Sequence, residues 1–263
     1  MLRTIKFFTA FGLSLLFVMF LLIPVILLLI INQKESVKHF TQKVVNKWAY
    51  FMLWVANVKF TVSGLENLPS ENNFCIISNH QGNFDILGIL AKIPVLPGFI
   101  AKKELSYVPV FSSWMKVMRC VFIDRNDRVA ALHAINHRLE MVKDGFPMLI
   151  FPEGTRSRRN EMKPFKHGGV VTIASSGVDI LPISISNSYR CFEETGNITP
   201  TKAHIHIHPI LKTDNLSDFE VEKICGRLEL IIKSEIMLLS EELPQKQSFS
   251  WAVFKRKYFE REN

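Results

Sequence analysis

The feature that most restricts the fold is an uncharged run near the start of the chain, "FFTAFGLSLLFVMFLLIPVILLLII", from Phe7 to Ile31. As a helix it would reach about 37 Å, enough to cross a hydrocarbon core of ~30 Å. A secretory signal is the alternative, but the run is too long for one and no small-x-small cleavage site follows it. Pro24 permits a kink, so a spanning helix and a re-entrant hairpin both stay open. We expect residues 1–32 to form a membrane anchor.

The basic residues point to the same environment. The net charge is +8, and the charges flank the apolar run and recur in "RSRR" and "FKRK". No aromatic-interleaved basic stripe or nucleic-acid motif accompanies them, so membrane lipids are the expected partner and nucleic acid is not. More lysines follow the run than precede it, which predicts that the domain after the anchor faces the cytoplasm. The four separated cysteines fit a reducing compartment and plain core packing.

Residues 33–57 have the pattern of an amphipathic helix. In "HFTQKVVNKWAYFMLWVANV", Trp48, Phe51 and Trp54 recur at helical spacing, with Lys43 and Lys47 opposite. A second core helix would show this pattern, and so would a helix lying in the membrane interface. The position directly after an anchor favours the interface.

From Val58 onward, short strands alternate with helices. The strand-like runs are "VKFTVSG", "FCIIS", "VLPGFIA", "CVFID", "PMLIF", "DILPISIS" and "AHIHIHPIL", and helices are predicted over 84–92, 109–118, 128–143, 169–176 and 217–239. Several of the strands are almost entirely apolar, as expected of strands covered on both faces. Residues 58–263 are therefore predicted to be a single α/β domain, with a mixed, mostly parallel sheet flanked by helices.

The stretch "SNHQGNFDI" places His80 five residues before Asp85, after the apolar strand "FCIIS". Inside one helix these positions would point in different directions. They can meet only if His80 lies in the turn before a helix and Asp85 lies in its first turn, which the sequence allows. The carboxylate would then fix the imidazole tautomer and leave the other ring nitrogen free to take a proton.

Two further strands end in charged turns. "VFIDRND" carries Asp124 and Arg125, and "PMLIFPEGTRSRRN" carries Glu153, Gly154 and Arg156. Ligands of open α/β sheets bind at the carboxyl ends of the strands. Glu153 offers an acceptor for a hydroxyl, and Arg156 offers a forked donor for phosphate. We expect these strand ends to converge on one edge of the sheet.

Four blocks in this order, "NHQGNFD", "FIDR", "FPEGTR" and "LPI", resemble the glycerolipid acyltransferases. The branch acting on 1-acyl-glycerol-3-phosphate (lysophosphatidic acid) is the most similar, and the resemblance covers roughly residues 58–210. It implies transfer of a fatty acyl chain from acyl-CoA or acyl carrier protein to the free hydroxyl of lysophosphatidic acid, giving phosphatidic acid. The thioester is a co-substrate, and no cofactor is implied.

The resemblance also implies residue roles. His80 would be the general base and Asp85 its partner. Arg125, Glu153, Gly154 and Arg156 would hold the glycerol phosphate, with Lys102 or Lys103 adding charge. Thr155, in the same turn, would also bind substrate. Two positions depart from the family pattern: Gly82 stands where Ser is usual, and Arg119 stands where Gly is usual. We expect Gly82 to be tolerated at little cost and Arg119 to affect the acyl or acceptor site.

The sequence leaves alternative functions open. The acceptor could be another lysolipid or an amine-bearing lipid, and a lipid-binding protein that had lost activity would keep the same fold. No G-x-S-x-G elbow occurs, and no cysteine adjoins a histidine, so a covalent acyl-enzyme is not expected.

Two groups of histidines could bind a metal, but we predict no metal site. In "HIHIH", His204, His206 and His208 share one face of a strand, where solvent-facing histidines are commoner than metal ligands. His133 and His137 have helical spacing typical of a surface pair.

Overall fold

The structure is a computed structural model that describes residues 1–124 and 127–239. Its strands are β1 (Val58–Ser63), β2 (Cys75–Ser78), β3 (Gly98–Lys102), β4 (Val121–Ile123), β5 (Met148–Ile150), β6 (Ile180–Ser186) and β7 (Thr201–Ile207). Its helices are α1 (Leu2–Phe20), α2 (Leu22–Ile30), α3 (Lys34–Ala56), α4 (Phe84–Lys92), α5 (Pro109–Val117), α6 (Arg128–Lys143), α7 (His167–Ser175) and α8 (Asp218–Leu239).

The seven strands form one sheet in the order β1-β7-β6-β2-β5-β3-β4. All neighbouring strands run parallel except β6 and β7, which are antiparallel. The α/β fold with a mixed, mostly parallel sheet is therefore confirmed. The central strands β2, β5 and β6 are buried along their whole length, as their apolar sequences predict. Their carboxyl ends share one edge, because the three strands are parallel.

Helices cover both faces of the sheet. Alternating side chains of β2 separate the two layers: Ile76 faces the cluster formed with α3, α4 and α5. Cys75 and Ile77 face the cluster formed with α6, α7 and α8. Period-two alternation along a strand produces this division.

The first two helices lie against the domain. The indole of Trp114 donates to the carbonyl of Val18 (3.1 Å), and the backbone N–H of Ile198 donates to the hydroxyl of Thr4 (3.0 Å). The stretch Leu2–Ile30 is, by length and composition, apolar enough to cross a membrane. One face of it packs on the domain, while side chains such as Phe17 (67% exposed) and Ile23 (56% exposed) face outward.

Helix α3 follows and packs on both α1 and α4. Its aromatic residues divide between two environments. The indole of Trp48 donates to the hydroxyl of Ser14 on α1 (3.0 Å), whereas Trp54 is 76% exposed. An interfacial role for α3 stays a prediction, and Trp54 is the side chain that suits it.

Arg119 lies far from the strand ends that carry the predicted site. It precedes β4 and has a φ of 61°, a backbone conformation that glycine adopts more easily. Its guanidinium stacks 3.6 Å from the ring centroid of Phe146, which precedes β5. Both residues therefore sit at the amino-terminal edge of the parallel strands, opposite His80. The expectation that Arg119 affects the acyl or acceptor site is not supported.

Candidate active site

His80 and Asp85 meet in the turn between β2 and α4. Nδ1 of His80 lies 2.7 Å from Oδ2 of Asp85. Because a carboxylate accepts, Nδ1 carries the proton and Nε2 keeps its lone pair. The imidazole stacks on the ring of Phe151, with centroids 4.1 Å apart. Both the tautomer and the plane of the ring are thus fixed.

Asp85 is held by four donors. Its Oδ2 accepts from His80 and from the backbone N–H groups of Gln81 (2.7 Å) and Gly82 (2.9 Å). Its Oδ1 accepts a short hydrogen bond from the hydroxyl of Ser188, which follows β6. Asp85 is fully buried, and donors around a buried carboxylate stabilise its charge. Sequence reasoning missed Ser188, which reaches the site only because β6 lies beside β2.

Glu153 connects this turn to the loop after β5. Its Oε1 accepts from the backbone N–H of His80 (2.7 Å), and its Oε2 accepts from that of Lys163 (2.9 Å). Burial raises the pKa of Glu153, and the two backbone donors oppose that rise. We predicted from the sequence that Glu153 accepts a substrate hydroxyl. Both of its oxygens instead contact protein backbone, which suits a residue that positions His80.

Arg156 lies over the same turn and contacts a carboxylate that sequence reasoning missed. Its Nη1 lies 2.9 Å from Oε1 of Glu193, which also accepts from the backbone N–H of Asn83 (2.8 Å). The side chain of Glu193 is 2% exposed and that of Arg156 is 32% exposed. Burial raises the pKa of Glu193. No motif marks Glu193, because it lies in the loop after β6 and only the fold brings it here.

The same carboxylate explains why position 82 is a glycine. A Cβ atom at position 82 would lie 2.2 Å from Oε2 of Glu193. Any side chain here would have to displace that carboxylate from its place beside Asn83 and Arg156. The space next to Gly82 is already filled, so the departure from Ser has a physical reason.

A cavity of about 480 Å³ opens at His80. Its walls are mostly apolar, including Ile100, Ile135 and Val170, and its polar lining residues are His80, Lys166 and His167. A Cβ atom at Gly154, whose φ is 70°, would lie 2.7 Å from Nζ of Lys166. Lys166 therefore adds a cation beside the Glu-Gly-Thr-Arg turn, and sequence reasoning did not single it out.

A second, almost wholly apolar cavity of about 330 Å³ lies between α1, α3, α4 and α5. Phe7 and Phe8 of α1 line it together with Phe192, and it extends to Asn83 and Phe84 at the start of α4. It therefore runs from the first helix to the turn that carries the dyad.

The remaining predicted residues are placed as follows. Lys102 ends β3 and pairs with Glu104 at 2.8 Å, with both side chains largely exposed. Lys103 and Thr155 are exposed. Arg125 lies outside the described residues. The roles of these four residues in binding substrate stay predictions.

The histidines of "HIHIH" are less exposed than expected: His204 and His206 of β7 are partly exposed, and His208, which follows β7, is buried. Ser63 contacts Nε2 of His204 (2.8 Å) and Nδ1 of His206 (2.7 Å), and Ser184 contacts Nε2 of His208 (2.7 Å). Burial lowers the pKa of His208 to about 3. His206, His208 and Glu235 each place a possible ligand atom within 4.8 Å of the others. The serine hydroxyls, however, already use one ring nitrogen of each histidine.

Comparison with known proteins agrees with this geometry. A family model described as Acyltransferase matches residues 59–186. A 1-acyl-sn-glycerol-3-phosphate acyltransferase of Borreliella burgdorferi is 30% identical over 188 residues, which cover 70% of this chain and 73% of that protein. The chain belongs to the acyltransferase family. The dyad, the Glu-Gly-Thr-Arg turn and the strand β6 all lie within or at the border of the matched acyltransferase region.

Two more acyltransferases extend the comparison. The chloroplastic 1-acyl-sn-glycerol-3-phosphate acyltransferase BAT2 of Brassica napus is 32% identical over 217 residues, covering 78% of this chain and 60% of that protein. The crystal structure of the 1-acyl-sn-glycerophosphate (LPA) acyltransferase PlsC from Thermotoga maritima superposes with a TM-score of 0.80 at 26% identity, covering 93% of this chain and 97% of that chain. The similarity to PlsC therefore extends over nearly the whole of both chains.

Proposed function

We propose that this acyltransferase moves a fatty acyl chain from an acyl thioester to the free hydroxyl of lysophosphatidic acid, giving phosphatidic acid for phospholipid synthesis. The observation that carries the proposal is the His80–Asp85 pair at 2.7 Å with Arg156 over the same turn. The names of the relatives from Borreliella and Brassica, and of the structure from Thermotoga, support lysophosphatidic acid as the acceptor.

The chemistry follows from the tautomer of His80. Nε2 takes the proton of the acceptor hydroxyl as its oxygen attacks the thioester carbonyl. A C–O bond forms, the C–S bond breaks, and the leaving thiolate receives the proton from the imidazolium. Asp85 stabilises the positive charge that His80 carries between the two proton transfers. General-base assistance of this kind contributes typically 10²- to 10⁴-fold to the rate.

The acceptor phosphate would bind at the exposed edge of Arg156. Only Nη1 of that guanidinium is engaged by Glu193, and an arginine fork can hold two phosphate oxygens at once. Lys166 places a second cation in the wall of the cavity that opens at His80. That cavity, about 480 Å³ in volume, is within the range of small-molecule sites and has the apolar walls that a fatty chain requires.

The donor is proposed to be acyl-CoA or acyl carrier protein, and both supply the same thioester. The protein would meet its lipid substrates on a membrane surface, with the outward apolar side chains of α1 and α2 in the lipid and Trp54 of α3 at the interface. We propose that residues 1–32 anchor the chain, that 33–57 lie along the interface, and that the acyltransferase domain from residue 58 faces the cytoplasm.

A direct test is the full-length protein in mixed micelles with each donor and a panel of lysolipid acceptors. Phosphatidic acid should form from lysophosphatidic acid, and the matched His80→Ala protein should retain less than a few per cent of the rate. Faster transfer to an acceptor without a terminal phosphate would contradict the assignment of the acceptor. Full activity in the His80→Ala protein would contradict the mechanism.

A further inference from the structure

We propose that Glu193 is a positioning residue for the acceptor: its carboxylate fixes the Arg156 guanidinium over the turn that carries His80, and Gly82 leaves the space this carboxylate needs. The proposal rests on the proposed function, because Arg156 is taken to bind the acceptor phosphate. It adds a residue that none of the four sequence blocks contains and that lies beyond the region of the family match.

The contacts of Glu193 make it a bridge between two parts of the site. Its Oε1 accepts from Asn83 N–H at 2.8 Å, at the start of α4, and from Nη1 of Arg156 at 2.9 Å, in the loop after β5. A single carboxylate oxygen therefore sets the distance between the phosphate-binding guanidinium and the turn of the dyad. Since Arg156 is one-third exposed, its side chain would otherwise be free to sample several rotamers.

The second oxygen of Glu193 lies against the backbone at Gly82. Within residues 1–124 and 127–239, Oε2 is buried and has no hydrogen-bond partner. It lies against Gly82, where a Cβ atom would come within 2.2 Å. Burying a carboxylate oxygen without a partner is costly, so the ion pair with Arg156 and the bond from Asn83 must outweigh that cost. These two contacts hold the carboxylate beside the catalytic turn, where it fixes the position of Arg156.

The kinetic test compares Glu193→Gln with the wild-type chain. Glutamine keeps the size of the side chain but not the charge, and a neutral hydrogen bond is roughly half as strong as a charge-assisted one. We expect the KM for lysophosphatidic acid to rise about 5- to 10-fold while the donor KM and kcat stay within about twofold. Glu194→Gln, on the exposed neighbouring residue, is the matched control and should change none of these values.

A double-mutant cycle identifies the partner through which Glu193 acts. If Glu193 works by holding Arg156, Glu193→Gln should add nothing to Arg156→Ala, because the guanidinium is already absent. Additive effects would overturn the proposal, as would a donor KM that rises in parallel. A fall in the acceptor KM would also overturn it, since Glu193 would then be a competitor of the phosphate.

The contact with Gly82 is tested without substrate. Gly82→Ala should lower the Tm of the wild-type chain by about 2–4 °C or more, since the added methyl group displaces the carboxylate from its partners. In a Glu193→Ala background the same change should leave the Tm unaltered. Equal losses in both backgrounds would refute the proposed complementarity.

The two tests separate this inference from the function on which it rests. A wild-type chain that does not acylate lysophosphatidic acid would overturn the proposed function, while the Tm cycle would still report on the Gly82–Glu193 contact. A wild-type chain that is active, with a Glu193→Gln protein of unchanged acceptor KM, would overturn the positioning role alone.

Discussion

Replacing Asp85 with asparagine should remove its charge while preserving the geometry of the dyad. Three N–H donors point at Oδ2, from the His80 ring and from the backbone of Gln81 and Gly82. The amide oxygen must take that position, because an NH₂ group there would face three donors. The NH₂ group then takes the place of Oδ1 and can donate to the hydroxyl of Ser188. The tautomer of His80 is therefore expected to stay the same.

The loss can be estimated from the distance between the charges. The nearest atoms of the pair are 2.7 Å apart, so the centres of charge of an imidazolium and the carboxylate lie about 4 Å apart. At that distance two unit charges interact by about 4 kcal/mol at an effective dielectric constant of about 20. Each 1.36 kcal/mol is roughly a factor of ten in rate. Allowing for partial compensation by the amide dipole, we expect kcat to fall roughly 10²- to 10³-fold.

The measurement is the initial rate of phosphatidic acid formation at saturating acceptor and donor, with His80→Ala as the lower limit. The Tm of the Asp85→Asn protein should match that of the wild type, which shows that the turn is intact. A kcat within about tenfold of wild type would show that the charge of Asp85 does little. A large loss of Tm together with the loss of rate would show that the amide disrupts the turn, and the reasoning on donors would be wrong.

Three further predictions concern the phosphate, the pH dependence of stability and the membrane. Arg156→Lys keeps the charge but loses the forked guanidinium, so in steady-state assays kcat/KM for the acceptor should fall roughly 10- to 150-fold. Arg158→Lys should change kcat/KM little, and equal losses in the two variants would contradict the phosphate assignment. The pKa of His208 is lowered to about 3 in the folded protein, so between that pH and about 6.5 the unfolded chain binds more protons than the folded one. The free energy of unfolding should therefore fall as the pH drops below about 6.5, by at most about 1.4 kcal/mol per pH unit. In thermal unfolding at pH 7.5 and 5.5, His208→Gln should reduce this fall, and an unchanged pH dependence would refute the assignment. Phe17→Glu, on the outward face of α1, should weaken co-sedimentation with anionic vesicles and leave the Tm unchanged. The control Val129→Glu, on α6 with similar exposure, should not affect sedimentation. Equal effects of the two variants would argue against α1 as the membrane face.

Local sequence patterns predicted much of the fold because the strands are short and strongly apolar. The runs at β2 and β5 have no polar alternation, and both strands occupy the centre of the sheet. The spacing of His80 and Asp85 predicted a turn followed by a helix, and α4 begins at Phe84 as expected. In each case the information lies within about ten consecutive residues, where propensity and periodicity act.

The residues that sequence reasoning missed share a different origin. Ser188 and Glu193 come from the segment after β6, and their approach to the dyad depends on β6 pairing with β2. Strand order is set by packing of the whole sheet, which no local pattern encodes. The motif around Glu153 identified the residue, but its contacts could not be predicted. The backbone N–H groups of His80 and Lys163 become its neighbours only in the fold.

The apolar cavity shared by Phe7, Phe8 and Phe84 has a consequence for how the rate would depend on lipid. If α1 lies in the leaflet as proposed, a lysolipid can reach the turn of the dyad by lateral diffusion, with its chain never crossing water. The relevant concentration is then the mole fraction of lysolipid in the surface. Diluting the substrate with inert phospholipid at constant total amount should slow turnover, whereas diluting the whole suspension with buffer that keeps the donor concentration constant should not change the turnover per enzyme.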